Sequence, residues 1–218
     1  MESLPENQVQ VHSEHAQLAV DALLIASGRQ PATASLHPEN AGIAVNEHGA
    51  IVVDKRLHTT ADNIWAMGDV TGGLQFTYIS LDDYRIVRDE LLGEGKRSTD
   101  DRKNVPYSVF MTPPLSRVGM TEEQARESGA DIQVVTLPVA AIPRARVMND
   151  TRGVLKAIVD NKTQRMLGAS LLCVDSHEMI NIVKMVMDAG LPYSILRDQI
   201  FTHPSMSESL NDLFSLVK

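Results

Sequence analysis

The stretch that decides the fold runs from Leu57 to Thr77 and reads LHTTADNIWAMGDVTGGLQFT. It predicts a turn, a short buried strand over residues 63–67, the pair Gly68-Asp69, a glycine loop and a helix that begins at Thr77. Glycines let the backbone approach a ligand closely, a carboxylate accepts hydrogen bonds from hydroxyls, and a helix start presents unpaired N–H groups. The layout is typical of a ligand-binding cradle, although Gly-Asp taken alone is more often a plain turn.

Two other segments complete a family resemblance. Residues 22–31 read ALLIASGRQP, and residues 203–208 read HPSMSE. With TTADNIWAMGDV at residues 59–70, they resemble three segments of the pyridine-nucleotide-disulfide oxidoreductases, in the same order along the chain. This is the family of glutathione reductase, dihydrolipoamide dehydrogenase and mercuric reductase. Within it, the chain is most similar to the reactive-chlorine-resistance reductases.

The composition is that of a soluble globular protein, with 43% hydrophobic residues and a mean hydropathy of -0.11. The 218 residues suffice for one large domain or two small ones. The net charge of -8, with no Lys/Arg cluster, argues against a nucleic-acid partner. No apolar run approaches the roughly 20 residues of a membrane span, and the opening MESLPENQ lacks the features of a signal peptide. We therefore expect a cytoplasmic protein without a membrane or nucleic-acid partner.

The single cysteine, Cys173, excludes an intrachain disulfide and fits a reducing compartment. The resemblance implies a Cys-x4-Cys pair beside a flavin and two G-x-G-x-x-G phosphate loops, and the sequence contains neither. Subunits of this family are also much longer. We therefore expect the chain to be a C-terminal portion of such an enzyme: a truncated gene product, a split frame or an expressed fragment.

The resemblance also predicts the fold class, which is α+β. Residues 1–36 would end the NAD(P)-binding domain, and residues 37–104 would be the C-terminal segment of the FAD-binding domain with a linker. Residues 105–218 would form the interface, or dimerisation, domain, with an antiparallel sheet and helices. The first two segments would be remnants of α/β domains, so we expect exposed strand edges or disorder within residues 1–92.

Hydrophobic periodicity predicts the individual elements. In the first half these are a hairpin over residues 7–20 that turns near Ser13 to His15, a buried strand over residues 23–26, short strands over residues 51–53 and 64–67, and a helix over residues 77–92. In the second half they are an edge strand over residues 106–111, strands over residues 131–139, 153–159 and 166–174, and helices over residues 121–129, 176–189 and 205–217. Capping boxes at Thr121–Gln124 and Asp175–Glu178 would begin the first two of these helices. The helix over residues 176–189 is apolar on more than one face, which indicates burial on two sides.

The flavin contacts come from the resemblance. Asp69, after Gly68, would bind the ribityl hydroxyls of FAD, and the N–H of Thr77 with the helix dipole would stabilise negative charge near N1 and O2 of the reduced flavin. A turn aspartate and an ordinary helix start are the structural alternatives. Gly28 would allow a sharp turn, and Arg29 would lie near the flavin or form a surface salt bridge, of which we favour the second.

His203 and Glu208 form the sharpest candidate pair. We expect Pro204 to begin the last helix and to leave His203 outside it, free to fold back toward Glu208. Such a pair fixes one imidazole tautomer and makes the ring more basic. By the resemblance, the pair reaches into the partner subunit's active site as the acid–base group for a thiolate. Mercuric reductases lack this histidine, so its presence favours thiol chemistry.

The remaining candidate residues give weaker evidence for a functional role. His12 and His15 have no ligand partners at a suitable spacing, and no metal site is predicted. Cys173 lies in an apolar run and is interpreted as a buried small hydrophobe. The methionines of the helix over residues 176–189 are interpreted as core or interface residues.

The resulting hypothesis is a C-terminal portion of an FAD-dependent, NAD(P)H-linked oxidoreductase that acts on a disulfide, a thiol or a related small redox substrate. It would form a homodimer through residues 105–218 and would be inactive alone. The alternatives are a non-catalytic homodimerisation module and a small metal-handling protein.

Overall fold

A computed structural model describes the backbone of residues 2–3 and the whole of residues 8–218. The chain divides into two compact units, Met1–Thr99 and Asp100–Lys218. The division at residues 36 and 104, which the resemblance suggested, stays a prediction.

The first unit begins with a small antiparallel sheet. Its strands are β1 (Glu2–Ser3), β2 (Val9–His12) and β3 (Gln17–Val20), in the order β1-β2-β3. Ser13 shapes the turn between β2 and β3, because its Oγ accepts the Ala16 N–H at 3.0 Å. The predicted hairpin is therefore confirmed, although residue 7 lies outside the described residues.

Three other predicted strands of this unit are wrong. Residues 23–26 form no strand, and the side chains of Leu24 and Ile25 are 88% and 70% exposed. Residues 51–53 and 63–67 contribute only the single bridges Val45–Ile51 and His58–Trp65. An apolar run becomes a buried strand only if neighbouring strands take up its N–H and C=O groups. Within the described residues, no such strand pairs with these segments.

The helix α1 (Thr77–Leu92) begins and ends at the predicted residues. Ile79, Asp83 and Ile86 form its buried face. A 3-10 turn over Gly68–Thr71 precedes it and ends at Gly72, whose φ is 74°. A Cβ on Gly72 would lie 2.7 Å from the Cβ of Ala50, so both the left-handed backbone and the close packing require glycine there.

The second unit contains a five-stranded antiparallel sheet in the order β4-β5-β8-β7-β6. Its strands are β4 (Tyr107–Val109), β5 (Leu115–Gly119), β6 (Ile132–Pro138), β7 (Val154–Asp160) and β8 (Met166–Leu172). Its helices are α2 (Glu122–Glu127), α3 (Pro143–Val147), α4 (Ser176–Asp188), α5 (Ser194–Arg197) and α6 (Ser209–Ser215). The edge position of β4 and the α+β class are as predicted, whereas β5, α3 and α5 were not predicted.

One face of this sheet carries the core. Leu155, Ala157 and Leu171 alternate along β7 and β8 and are each 0% exposed. They pack with Met179 and Val183 of α4 and with residues of α6. Alternation along the strands places every second side chain on this face, and the opposite face carries Arg117, Ser170 and Lys156 together with the apolar Leu115 and Ile158.

The two predicted capping boxes have different outcomes. At α2, the Gln124 N–H donates to Thr121 Oγ1 at 3.0 Å and the Thr121 N–H donates to Gln124 Oε1 at 2.9 Å, so this box is confirmed. At α4, Asp175 makes no side-chain cap. Its φ of 60° lies in the left-handed region, whereas a capping side chain needs an extended backbone to reach the first-turn N–H groups. The helix itself forms as predicted.

Helix α4 buries only one of its two apolar sides within the described residues. Met179, Ile180 and Val183 are buried, whereas Met185 is 71% exposed and Ile182 is half-buried. None of the helices within residues 8–218 has both the length and the apolar character needed to cross a bilayer.

Candidate functional site

The structure brings His203 and Glu208 together. The distance from His203 Nδ1 to Glu208 Oε2 is 2.8 Å. The His203 side chain is 73% exposed, whereas that of Glu208 is 16% exposed. The mostly buried carboxylate of Glu208 therefore contacts one ring nitrogen of His203, and no described residue is hydrogen-bonded to the other nitrogen.

A turn, and not a helix start, makes this contact. The helix α6 begins at Ser209, so the predicted helix over residues 205–217 begins four residues too early and Pro204 lies outside it. Glu208 is the N-cap residue, and its Oε1 accepts the Ser205 N–H at 3.3 Å. The Glu208 N–H in turn donates to Ser205 Oγ at 3.3 Å. The carboxylate of Glu208 thus joins the His203 ring to the turn backbone.

Ser205 is a site residue that the sequence reasoning missed. Ser205 and Glu208 have the S-x-x-E spacing of a capping box, in which each side chain accepts the other residue's backbone N–H. That spacing could have revealed the turn. Met206, which is 3% exposed, and Ser209, which is 0% exposed, anchor the turn in the core.

The predicted flavin segment places Asp69 in the 3-10 turn that precedes α1. Its side chain is 53% exposed and lies 3.4 Å from Arg29, measured from Oδ2 to a guanidinium nitrogen. Arg29 is 68% exposed, which agrees with the surface salt bridge that the sequence favoured. Gly28 has a φ of 118°, a backbone conformation that favours glycine.

The turn at Gly68 is tied to the first half of α1. The Gly68 N–H donates to Asp83 Oδ2 at 2.7 Å, and Asp83 is 2% exposed. A Cβ on Gly68 would lie 3.0 Å from Ser80 Oγ, which shows how closely the turn approaches the helix. Asp83 was missed, although its spacing from Ile79 and Ile86 places a carboxylate on the apolar face of α1, where only a specific partner offsets its burial.

Thr77 is the first helical residue of α1, and Phe76 before it provides no side-chain cap. The first N–H groups of a helix have no partner inside the helix and carry the positive end of its dipole. Asp69 and the start of α1 therefore offer an acceptor and donors within one unit, and both fit the polyol and the electron-rich ring edge of a flavin.

Cys173 is buried, as predicted, with 0% exposure. Burial and the nearby Asp175 raise the pKa of its thiol to about 12, so the thiol is neutral near pH 7. No group of three His, Cys, Asp or Glu side chains within the described residues is arranged to hold a metal ion.

Comparison with known families matches both units. The family described as "Pyridine nucleotide-disulphide oxidoreductase, dimerisation domain" matches residues 105–214. The family described as "Pyridine nucleotide-disulphide oxidoreductase" matches residues 2–83.

Curated relatives include mercuric reductases. That of Staphylococcus aureus is 35% identical over 202 residues, which are 93% of this chain and 37% of that protein. That of Streptomyces lividans is 34% identical over 206 residues, which are 94% of this chain and 42% of that protein. The chain thus spans well under half the length of these relatives. The contrast with mercuric reductases that was drawn from His203 stays a prediction.

Similar solved structures include the HOCl-induced flavoprotein disulfide reductase RclA from Escherichia coli, 99% identical with a TM-score of 0.95. The match covers 98% of this chain and 49% of that one. A Cu(II) complex of the same reductase matches equally well, with a TM-score of 0.95. LpdA from Mycobacterium tuberculosis, 23% identical with a TM-score of 0.83 over 93% of this chain and 44% of its own, shares the fold. The predicted similarity to reactive-chlorine-resistance reductases is therefore confirmed, and the chain belongs to the pyridine nucleotide-disulphide oxidoreductase family.

Proposed function

We propose that this chain supplies three parts of an FAD-dependent, NAD(P)H-linked disulfide oxidoreductase: a flavin-contacting turn, a subunit interface and a His–Glu acid–base pair. The observation that carries the proposal is the 2.8 Å hydrogen bond between His203 and Glu208 on an otherwise exposed imidazole. Family membership supplies the reaction class. The substrate would be a disulfide, a thiol or a related small redox molecule in the cytoplasm.

The His–Glu pair supports proton transfer. With the Nδ1–H of His203 donated to Glu208, Nε2 keeps its lone pair and can take a proton from a thiol. The carboxylate of Glu208 stabilises the imidazolium that forms, and Ser205 holds that carboxylate in place. The exposed ring would then return the proton to a leaving thiolate. Such a positioned general base contributes a factor of about 10²–10⁴ to a rate.

Asp69 and the start of α1 would hold the flavin. Among the described residues, the Asp69 side chain contacts Arg29 at 3.4 Å, which leaves most of the acceptor capacity of the Asp69 carboxylate to a bound polyol. Thr77 would direct its N–H toward the electron-rich edge of the ring. When bound, the flavin would supply hydride transfer between NAD(P)H and a disulfide.

The chain alone would be catalytically incomplete. Its one cysteine is 0% exposed, and the high pKa of that thiol keeps it neutral, so Cys173 does not serve as a redox thiolate. We expect no oxidation of NAD(P)H by the purified chain with added FAD. Robust turnover under these conditions would overturn this part of the proposal.

The acid–base role is tested in the 99%-identical full-length reductase, at the positions that align with His203 and Glu208. His203→Gln removes the proton acceptor and should lower disulfide turnover by about 10²–10⁴-fold at unchanged flavin content. Glu208→Gln keeps the ring and should cost less. Unchanged turnover in His203→Gln would contradict the role.

The alternative, a non-catalytic homodimerisation module, is favoured by one observation. Met185 of α4 is 71% exposed on a helix whose opposite side lies in the core. The match to the dimerisation-domain family supports a homodimer through residues 105–218. Light scattering coupled to gel filtration measures the oligomeric state. A monomer at high concentration would reject the homodimerisation module. A dimer without any flavin binding would favour the alternative over the proposal.

Copper binding is a second candidate, because near-identical structures are described as Cu(II) complexes of RclA. Equilibrium dialysis of this chain against Cu(II), followed by metal analysis, tests it directly. One bound equivalent per chain would support a copper site in this chain, and no bound copper would reject it.

A further inference from the structure

A polar row crosses the face of the five-stranded sheet that lies away from the core. In the strand register Tyr107 pairs with Arg117, Arg117 pairs with Ser170, and Ser170 pairs with Lys156. Thr136 continues the row opposite Lys156. Directly opposed residues of antiparallel strands have Cβ atoms about 4.5–5.5 Å apart. A hydroxyl thus stands between two long cationic side chains, each on a neighbouring strand.

A pocket of about 260 Å³ opens at this row. Arg117, Ser170 and Lys156 line it together with Thr121 and Glu122 from the start of α2. Leu115 and Ile158 add apolar wall. Pockets for drug-sized ligands measure about 300–1,000 Å³, so this one is suited to a smaller molecule.

The charges at the pocket are unevenly matched. Glu122 is shared by Lys156, whose Nζ lies 2.6 Å from Oε2, and by Arg126, whose guanidinium lies 2.7 Å from Oε1. The two cations hold the pKa of Glu122 below its usual range, so it stays ionised. The pocket lining therefore carries two cations, Arg117 and Lys156, and one carboxylate, Glu122, in a chain whose net charge is -8.

Most hydrogen-bond donors of the Arg117 side chain have no acceptor among the described residues. Within the described residues its one side-chain hydrogen bond goes to the Tyr107 hydroxyl at 3.2 Å, and its guanidinium carbon lies 5.9 Å from the centre of that ring. No carboxylate of the described residues pairs with it. A guanidinium carries five N–H donors, so most of those of Arg117 are open to a ligand. The Ser170 hydroxyl likewise makes no hydrogen bond with any described residue.

We infer that this pocket binds the phosphate group of a small molecule. Arg117 would donate two N–H groups to phosphate oxygens, since the planar guanidinium matches their spacing. Ser170 would donate its hydroxyl hydrogen, and Lys156 would donate an ammonium hydrogen while a second one stays on Glu122. The apolar wall would contact the organic part of the ligand. The inference does not depend on the proposed redox function, because none of these residues takes part in the turn at His203.

The test uses the 218-residue chain, inorganic phosphate as the probe, and two-dimensional amide NMR at constant ionic strength set with chloride. We expect saturable shifts at the amides of Arg117, Ser170 and Lys156. Arg117→Gln should weaken the affinity by about tenfold or more, because a hydrogen bond to a charged group is lost. Arg144→Gln makes the same charge change on α3, outside the pocket, and should leave the affinity within about twofold.

Lys156→Gln provides a second variant if Arg117→Gln fails to fold, and it should also weaken binding. Absence of saturable shifts, or equal affinity in Arg117→Gln and Arg144→Gln, would overturn the inference. Sedimentation with phosphatidylcholine vesicles that contain phosphatidic acid separates a small molecule from a lipid headgroup. We expect no pelleting, and pelleting that Arg117→Gln abolishes would overturn the assignment to a small molecule.

Discussion

Asp83 of α1 accepts the N–H of Gly68, with 2.7 Å between the two atoms. Asp83 is 2% exposed, so a buried residue of α1 holds the turn that contains Asp69. The position of Asp69, for which we propose a flavin contact, thus depends on a residue that would not itself touch the flavin.

The first prediction follows from this bond. Asp83→Ala removes the acceptor and leaves the Gly68 N–H without it, which should cost roughly 1–3 kcal/mol of local stability. Amide hydrogen exchange should show lost protection at residues 67–72. Asp62→Ala, at an exposed position, serves as the control and should leave protection unchanged. Unchanged exchange at Gly68 in Asp83→Ala would show that the bond does not hold the turn.

A second prediction concerns Ser205. Its hydroxyl accepts the Glu208 N–H at 3.3 Å, so Ser205→Ala should loosen the turn and cost about 1 kcal/mol. We expect a smaller fraction of His203 with its proton on Nδ1, measured by nitrogen NMR of the imidazole. Ser207→Ala changes a neighbouring serine in the same turn and should have no such effect. Equal tautomer populations in both variants would argue against a supporting role for Ser205.

Cys173 gives a prediction about pH. Its folded pKa of about 12 lies above the model-peptide value of 9.0, because burial disfavours the thiolate. Below pH 9 the thiol is neutral in both states, and above it only the unfolded thiol ionises. The free energy of unfolding should therefore fall between pH 9 and about pH 12. Urea titrations measure this loss, and Cys173→Ala should reduce it; an identical pH profile in the variant would refute the assignment.

A fourth prediction concerns the second side of α4. Met185→Glu puts a charge on the exposed apolar surface, and burying that charge in an interface is costly. The dissociation constant of the proposed homodimer should rise by about tenfold or more, as measured by sedimentation velocity. Lys162→Glu, in the turn between β7 and β8, makes a larger acidic change at an exposed position and serves as the control. Comparable dissociation in both variants would place the interface elsewhere.

Sequence patterns predicted the second unit better than the first. Strands β7 and β8 are mostly apolar runs joined by a short turn, so local signals suffice. Strand β5 was missed because LSRVG is short and follows Pro113-Pro114. One of its partners, β4, is close in sequence, but the other, β8, lies far along the chain. The strand prediction for residues 23–26 was wrong for the opposite reason. Their apolar side chains indicated a strand, but no described residues provide backbone partners for it.

The contact of His203 with Glu208 was predicted, but the predicted local structure behind it was wrong. A proline at the first helical position is common, and that preference suggested a helix from residue 205. The reciprocal hydrogen bonds of Ser205 and Glu208 form a turn there and delay the helix to Ser209. Asp83 could not be paired with Gly68 from the sequence, because their contact depends on how the turn lies against the helix.

The polar row on the open sheet face has a consequence for folding fidelity. Side chains alternate with a period of two, so a slip of one residue in β5 or β7 would drive Arg117 or Lys156 into the layer occupied by Leu155 and Leu171. Burying an unpaired cation in that layer would be unfavourable, so a misaligned pairing would be less stable than the native one. Arg117 and Lys156, which line the pocket, would thus also favour the correct alignment of β5 and β7 over a shifted one.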